Sequence, residues 1–279
     1  VIHAHDWLTY MAGIAAKRLT GKPLVVHVHA TSFDRSSDQN IDTRVYEIEK
    51  KGMEAADRVI TVSDLTRNIV ITKYGINPDK VVTVHNAVDF SGRSEMKVER
   101  GVDDKVVTFL GRITFQKGPE YFIEAAAKVL KRCPGVRFVM AGSGDMMNRS
   151  IRQVARLGIS DRFHFTGFLR GTDVQKMFAL SDVYVMPSVS EPFGISPLEA
   201  MRSGVPSVIS HQSGAAEVLK YAFKVDFWDV DAMADQIYAL LKYPALADFA
   251  SKYGYDEVNT LKWNNAAAKI KKVYESVIK

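Results

Sequence analysis

The strongest constraint on this chain is its alternation of short apolar runs with amphipathic stretches of helical period. Runs of four to six residues at 1–5, 24–29, 59–62, 81–85, 106–111, 137–142, 163–166, 183–186, 206–210 and 223–227 are rich in Val, Ile and Phe. Between them, 8–19, 41–56, 64–74, 119–130, 146–157, 172–180, 196–202 and 232–241 repeat their apolar residues at helical spacing. A strand apolar on both faces must be covered on both faces, and parallel sheets with crossover helices provide that cover. Ser63, Thr172 and Asp231 stand where helices should open, and their side-chain oxygens suit N-caps. The expected class is α/β, doubly wound with parallel sheets.

Residues 86–104 break the alternation: they are polar, carry Gly92 and Gly101, and have no sustained apolar period. The expected organisation is therefore a partial first domain at 1–90, a linker at 91–104, and a second domain at 105–258. A terminal helix at 259–279 should follow, with Trp263, Ala267, Ile270, Tyr274 and Val277 on one stripe. Because residues 1–5 already read as a buried strand and Val1 stands first, the chain is expected to be a fragment beginning inside a fold. Its 279 residues, 47% hydrophobic and 25% charged, suit a packed soluble core. No run of 18 apolar residues exists, so no membrane span is expected. Cys133 is the only cysteine, which rules out an internal disulfide framework and points to a reducing, cytoplasmic setting. A net charge of +5 suits an anionic ligand and leaves peripheral contact with an acidic membrane open. No five-residue Lys/Arg run and no aromatic-basic interleaving occurs, so a nucleic-acid partner is not expected.

The run at 106–110 ends in Gly111-Arg112-Ile113-Thr114-Phe115-Gln116-Lys117-Gly118-Pro119, followed by a helical stretch. In doubly wound folds, ligands sit outside the carboxyl ends of strands. Gly111 and Gly118 permit close approach, and Arg112 and Lys117 bring a planar fork and a point charge to that crevice. A diphosphate leaving group gains charge as its glycosidic bond breaks, and fixed cations there stabilise it without a metal. A single loop cation is ordinarily a solvated surface group; a pair bracketed by glycines after a strand is less so.

After the run at 183–186 comes Glu191-Pro192-Phe193-Gly194-Ile195-Ser196-Pro197-Leu198-Glu199. The amides of Gly194, Ile195 and Ser196 would open a helix onto an anion, so two helix openings should converge on one pyrophosphate. Glu199 lies one turn in and can accept from vicinal ribose hydroxyls, or simply complement the helix dipole. Glu191 is expected near the sugar ring, with a solvated loop carboxylate as the bland alternative.

This segment resembles the Glu-x7-Glu motif of retaining GT-B glycosyltransferases, the family of bacterial glycogen synthases, sucrose synthases and mannosyltransferases. The segment from Gly111 to Gly118 is similar to their donor-diphosphate motif, and Gly142, Gly144 and Phe168 fall in segments similar to their nucleotide-side loops. These motifs cover roughly residues 106–217. The resemblance implies two Rossmann-like domains, the first incomplete. It also implies a hexosyl transfer from a nucleoside-diphosphate sugar to a glycan or lipid-linked acceptor, with no cofactor and no metal. Catalytic roles would fall to Glu191, His29, Arg112 and Lys117. Donor contacts would come from Gly111, Arg112, Lys117, Gly142, Gly144, Phe168, Glu191, Phe193, Gly194, Ile195, Ser196 and Glu199. Asp6, in a His-Asp-Trp segment, would face the acceptor. His85-Asn86-Ala87-Val88-Asp89 looks like the family's interdomain junction, with Ala87 in place of glycine. Family members begin with a strand and a glycine-rich loop that this sequence lacks, and their terminal helix crosses back onto the first domain.

Two other readings compete. A sugar-nucleotide-binding fragment without turnover is favoured by the missing glycine-rich loop. His3, His5, Asp6, His27 and His29, at the ends of two neighbouring strands, raise a metal-dependent hydrolase. The spacing before the aspartate is one residue short of the metallo-β-lactamase pattern, no further ligand cluster follows, and residues 106–217 would go unexplained. These histidines are read as structural groups.

Overall fold

The computed structural model describes residues 1–36, 41–88, 98, 101 and 103–278. Asp89 and most of the expected linker at 91–104 lie outside the described residues. The chain forms two compact units: one from 1–87, 190–193 and 261–279, the other from 88–189 and 194–260.

In the first unit, β1 (Ile2–His5), β2 (Leu24–Val28), β3 (Arg58–Thr61) and β4 (Val81–Thr83) form a parallel sheet in that order. Helices α1 (Asp6–Thr20), α2 (Ser32–Arg35), α3 (Thr43–Ala55) and α4 (Asp64–Tyr74) connect them. Leu24, Val26 and Val59 pack with Tyr10, Met53 and Val70 in one buried cluster. Val25 and Ile60, alternate positions on the same strands, pack with Val84, Ala266 and Val273. Ala266 and Val273 belong to α12 (Trp263–Glu275), so the terminal helix covers the sheet's second face. Uniformly apolar strands required that cover. The buried stripe runs through Ala266, Ile270, Val273, Tyr274 and Val277. Trp263 is exposed, as is Ala267, so the expected stripe was out of phase in its first two turns.

Helices α1 and α3 meet without a spacer. A methyl on Gly52 would lie 2.7 Å from Tyr10 Cβ and closer still to its ring, and Tyr10 is 1% exposed. Gly52→Ala should therefore lower stability by about 1–3 kcal/mol through overpacking, read as a shifted urea midpoint.

The second unit holds β5 (Lys105–Leu110), β6 (Val136–Ala141), β7 (Phe163–Gly167), β8 (Val183–Met186), β9 (Ser207–Ser210) and β10 (Phe223–Val225). Its sheet is parallel throughout, ordered β10-β9-β8-β5-β6-β7. Its helices are α5 (Pro119–Arg132), α6 (Met147–Arg156), α7 (Thr172–Leu180), α8 (Ser196–Arg202), α9 (Ala215–Val218), α10 (Val230–Lys242) and α11 (Pro244–Val258). Phe109, Phe122, Phe138, Val185 and Ile237 are central to its core.

Sequence period missed α11, because its buried face is small: Ala250, Gly254 and Val258. A Cβ on Gly254 would lie 2.7 Å from Met201 Cε of α8, a contact that needs no bulky side chain on α11. Ser63 caps α4 by accepting from Thr66 N at 3.0 Å, as expected. Two other caps differ. Gly171, at φ +51°, precedes α7 and Thr172 is its first helical residue. At α10 the cap is Asp229, accepting from Ala232 N at 2.9 Å, while Asp231 pairs with Lys128 at 2.5 Å. No helix among the described residues is long and apolar enough to cross a membrane.

Candidate functional site

Strand order in the second sheet reverses at β5: β6 and β7 extend to one side, β8 to β10 to the other. Loops leaving the neighbouring strands β5 and β8 then diverge, and a crevice opens outside their carboxyl ends. A cavity of about 470 Å³ occupies this place. Leu110, Gly111 and Arg112 line it after β5, Ala141, Gly142 and Ser143 after β6, and Phe168 after β7. Val174, Gln175 and Phe178 of α7, Glu199 and Arg202 of α8, and Ser203 just after it also line the wall. The volume is that of a small-molecule site.

The loops after β5 and β6 are zipped together by backbone. Gly111 N donates to Ala141 O at 3.0 Å, Ile113 N to Ser143 O at 2.9 Å, and Met146 N to Ile113 O at 3.0 Å. Glycine is needed where the chains touch. Gly142 has φ +144°, and a Cβ there would sit 3.0 Å from the Gly111 carbonyl carbon and overlap its oxygen. A Cβ on Gly144 would lie 2.6 Å from the Ile113 carbonyl carbon. Gly142 thus lines the cavity, whereas Gly144 acts through the approach to Ile113.

The exposed Arg112 side chain donates to Gln116 Oε1 at 3.1 Å, an orienting bond that leaves most of the guanidinium's donors for a ligand. Lys117 does not line the cavity itself; its side chain passes Gly111, with Cγ and Cδ 3.8 Å from where a Cβ would stand. Glu199 does line it. Burial raises its pKa, opposed by the charge of Arg202 one turn on. The (i, i+3) spacing of Glu199 and Arg202 on one helix face was the signal that could have found Arg202.

Tyr184 was also missed. Its buried hydroxyl lies 2.8 Å from Ser196 Oγ and 3.4 Å from Leu110 O. It joins the start of α8 to the residue before Gly111. A tyrosine inside the apolar β8 run must find such a partner, which was the clue available. Gly194 (φ +92°), Ile195 and Ser196 open α8 but are not among the cavity's lining residues. With seven residues, α8 offers little macrodipole, and the cations at the cavity wall are Arg112 and Arg202. Phe168 is 64% exposed beside the cavity, with the Arg170 guanidinium 5.1 Å from its ring centre.

The remaining candidates fall in the first unit. Glu191 and Phe193 belong to the 190–193 segment grouped there, so the two glutamates of the motif lie in different units. Glu191 is 7% exposed, not the solvated carboxylate of the bland reading. Its neighbour Ser190 donates to Asp34 Oδ1 at 2.8 Å, and Phe193 packs 6.1 Å from the His85 ring. Asp34 also accepts from Thr31 N and Oγ1, and burial raises its pKa.

Asp6 takes φ +56°, rare for a side-chain-bearing residue, and is held there by its carboxylate. Oδ1 accepts from the backbone of His29 at 2.8 Å and of Ala30 at 3.4 Å, fastening the start of α1 to the end of β2. His29 Nε2 lies 2.9 Å from His5 Nδ1, and burial lowers its pKa, against the pull of the Asp6 carboxylate. Burial and neighbouring imidazoles push His3 down to about 4 and His27 to about 2.

Known proteins resemble this arrangement. The profile of the glycosyl transferases group 1 family matches residues 93–257, and that of glycosyltransferase family 4 matches residues 1–91. An uncharacterised glycosyltransferase of Methanocaldococcus jannaschii is 34% identical over 234 residues, 79% of this chain and 60% of that protein. Glycogen synthase of Mycobacterium tuberculosis H37Rv is 25% identical over 281 residues, 98% of this chain and 68% of that protein. The chain thus spans about 60% of the length of the Methanocaldococcus relative. Sucrose-phosphate synthase from Thermosynechococcus elongatus superposes with a TM-score of 0.83 at 22% identity, covering 99% of this chain and 73% of its own. Anabaena HepE, solved with UDP and glucose, gives 0.84 at 20% identity, covering 98% and 78%. The fold is GT-B, with two Rossmann-like α/β units. By the match that covers most of its second unit and more than half its length, the chain belongs to the glycosyl transferases group 1 family.

Proposed function

We propose that this protein transfers a hexosyl group from a nucleoside-diphosphate sugar to a hydroxyl of a glycan or lipid-linked acceptor, with retention at the anomeric carbon. The observation that carries the reading is the switch-point cavity, which brings Arg112, Gly142, Phe168 and Glu199 to one place. Arg112 and Lys117 hold the diphosphate, the amides of Gly194–Ser196 supplement them, and Glu199 accepts from the ribose hydroxyls. Phe168 offers the base an apolar face. Glu191 and His29 contact the donor sugar, and Asp6 positions the acceptor through its second oxygen. HepE was also solved with UDP-glucose, a donor of the class proposed here.

Chemistry follows from the charges. As the bond between C1 and the phosphate oxygen breaks, negative charge grows on the diphosphate, where fixed cations meet it without a metal. The acceptor hydroxyl attacks C1 on the face the phosphate leaves, and a phosphate oxygen takes its proton. Calorimetry with UDP, ADP and GDP, beside a transfer assay with the matching sugar donors, tests the reading. Binding without transfer would support a binding module instead, and no binding by any of the three would remove the donor assignment. Glu199→Gln should weaken diphosphate binding about tenfold and abolish the preference for ribo- over 2′-deoxyribonucleotide, since a charge-assisted bond is worth about 1.5–3 kcal/mol. A preserved preference would move the ribose elsewhere.

A further inference from the structure

We propose that His3, His5 and His27 form a binding site for one divalent transition-metal cation of the zinc type. Strand register puts them together: His3 and His5 are two residues apart on β1, and His5 stands opposite His27 on β2. All three imidazoles therefore project from one face of the sheet. One ring nitrogen from each lies within 4.8 Å of the other two.

Two further observations mark this as more than a stack of structural rings. His27 is only 5% exposed, yet among the described residues neither of its ring nitrogens has a hydrogen-bond partner, and His3 Nε2 is buried without one as well. Buried polar atoms left unpaired are costly, and one ion would take His3 Nε2 and one of the two His27 nitrogens. The outer nitrogens are already engaged: His3 Nδ1 lies 2.6 Å from the Tyr274 hydroxyl and His5 Nδ1 lies 2.9 Å from His29 Nε2. Metal-bound histidines show this pattern, one nitrogen on the ion and the other fixed by an outer partner, and His3 and His5 meet it whereas His27 does not. An all-imidazole set selects Zn²⁺, Cu²⁺ or Ni²⁺ over Mg²⁺ or Ca²⁺. At Zn–N distances of about 2.0–2.1 Å, the rings would need to close by roughly an ångström. Such an ion would fix His29 through His5 and α12 through Tyr274. The proposal stands independently of the transferase reading.

The chelator-treated full chain is titrated with Zn²⁺ by calorimetry and with Co²⁺ by visible absorption. One equivalent of Zn²⁺ should bind, and Co²⁺ should show the intense bands of a four-coordinate site made of three imidazoles and one water. His27→Gln should lower affinity at least a hundredfold, and Tyr274→Phe about ten- to a hundredfold, as outer-partner substitutions do. Circular dichroism checks the fold; should His27→Gln not fold, the exposed His5→Gln gives the same readout. His164→Gln and His211→Gln, exposed elsewhere, should change nothing. The site is refuted by the absence of stoichiometric binding to the unaltered chain. It is equally refuted by binding that survives His27→Gln or His5→Gln, or that disappears with His164→Gln or His211→Gln.

Discussion

Arg112→Ala is expected to weaken nucleoside-diphosphate binding about tenfold to a hundredfold while leaving the fold intact. The exposed guanidinium stands at the cavity wall, donates to Gln116, and is not among the described core residues. A hydrogen bond to a charged group is worth about 1.5–3 kcal/mol, and each 1.4 kcal/mol is about tenfold in affinity. Arg112→Lys should recover part of the loss, because a point charge remains but the two-pronged contact does not. Lys117→Ala should act in the same direction and make residual binding less sensitive to salt. Titration of the same diphosphate into each variant at two salt concentrations separates charge from geometry. Unchanged affinity in both alanine variants would remove the diphosphate from this cavity.

Gly142→Ala should cost about 3 kcal/mol or more and lower the thermal midpoint by about 6–12 °C. Two penalties combine. The backbone lies at φ +144°, which side-chain-bearing residues rarely adopt, and the added methyl would overlap the Gly111 carbonyl oxygen. Relief requires parting the loops after β5 and β6, and those loops form the cavity wall, so diphosphate binding should be lost with stability. Gly158→Ala separates the two causes: its φ is +69°, but nothing lies within 4 Å of the added carbon. That control should cost only about 1–2 kcal/mol, the price of a left-handed residue, with binding unchanged. Equal losses in the two variants would show that conformation, not the meeting of backbones, governs position 142.

Much of this arrangement was legible beforehand where the signal is local. Apolar runs such as 183–186, and 24–28 with its single His27, required covered parallel strands, and both lie inside their sheets. Gly111, Arg112, Gly142, Phe168 and Glu199 were chosen from sequence, and they line one cavity. Position relative to a strand end is local information and in a doubly wound sheet points toward the crevice, although Lys117, Gly144 and Gly194–Ser196, chosen the same way, do not line the cavity.

What failed needed information from distant parts of the chain. Helix α11 was invisible because its contact depends on Met201 of α8, not on its own bulk. Arg202 and Tyr184 were passed over because each matters only once β5, β8 and α8 are neighbours. Sequence already set His3, His5, His27 and His29 at two neighbouring strand ends and read them as structural groups; the register that pairs His5 with His27, and the lack among the described residues of partners for the His27 ring nitrogens, came only with the folded sheet. Sequence determined the periods, the strand ends, and hence the class of fold and five of the residues that line the cavity (Gly111, Arg112, Gly142, Phe168 and Glu199), because apolar period and turn residues are set by neighbours along the chain. Tertiary structure alone decided which polar atoms were satisfied and where two backbones touch, because those depend on residues that only the folded sheet brings within a few ångströms.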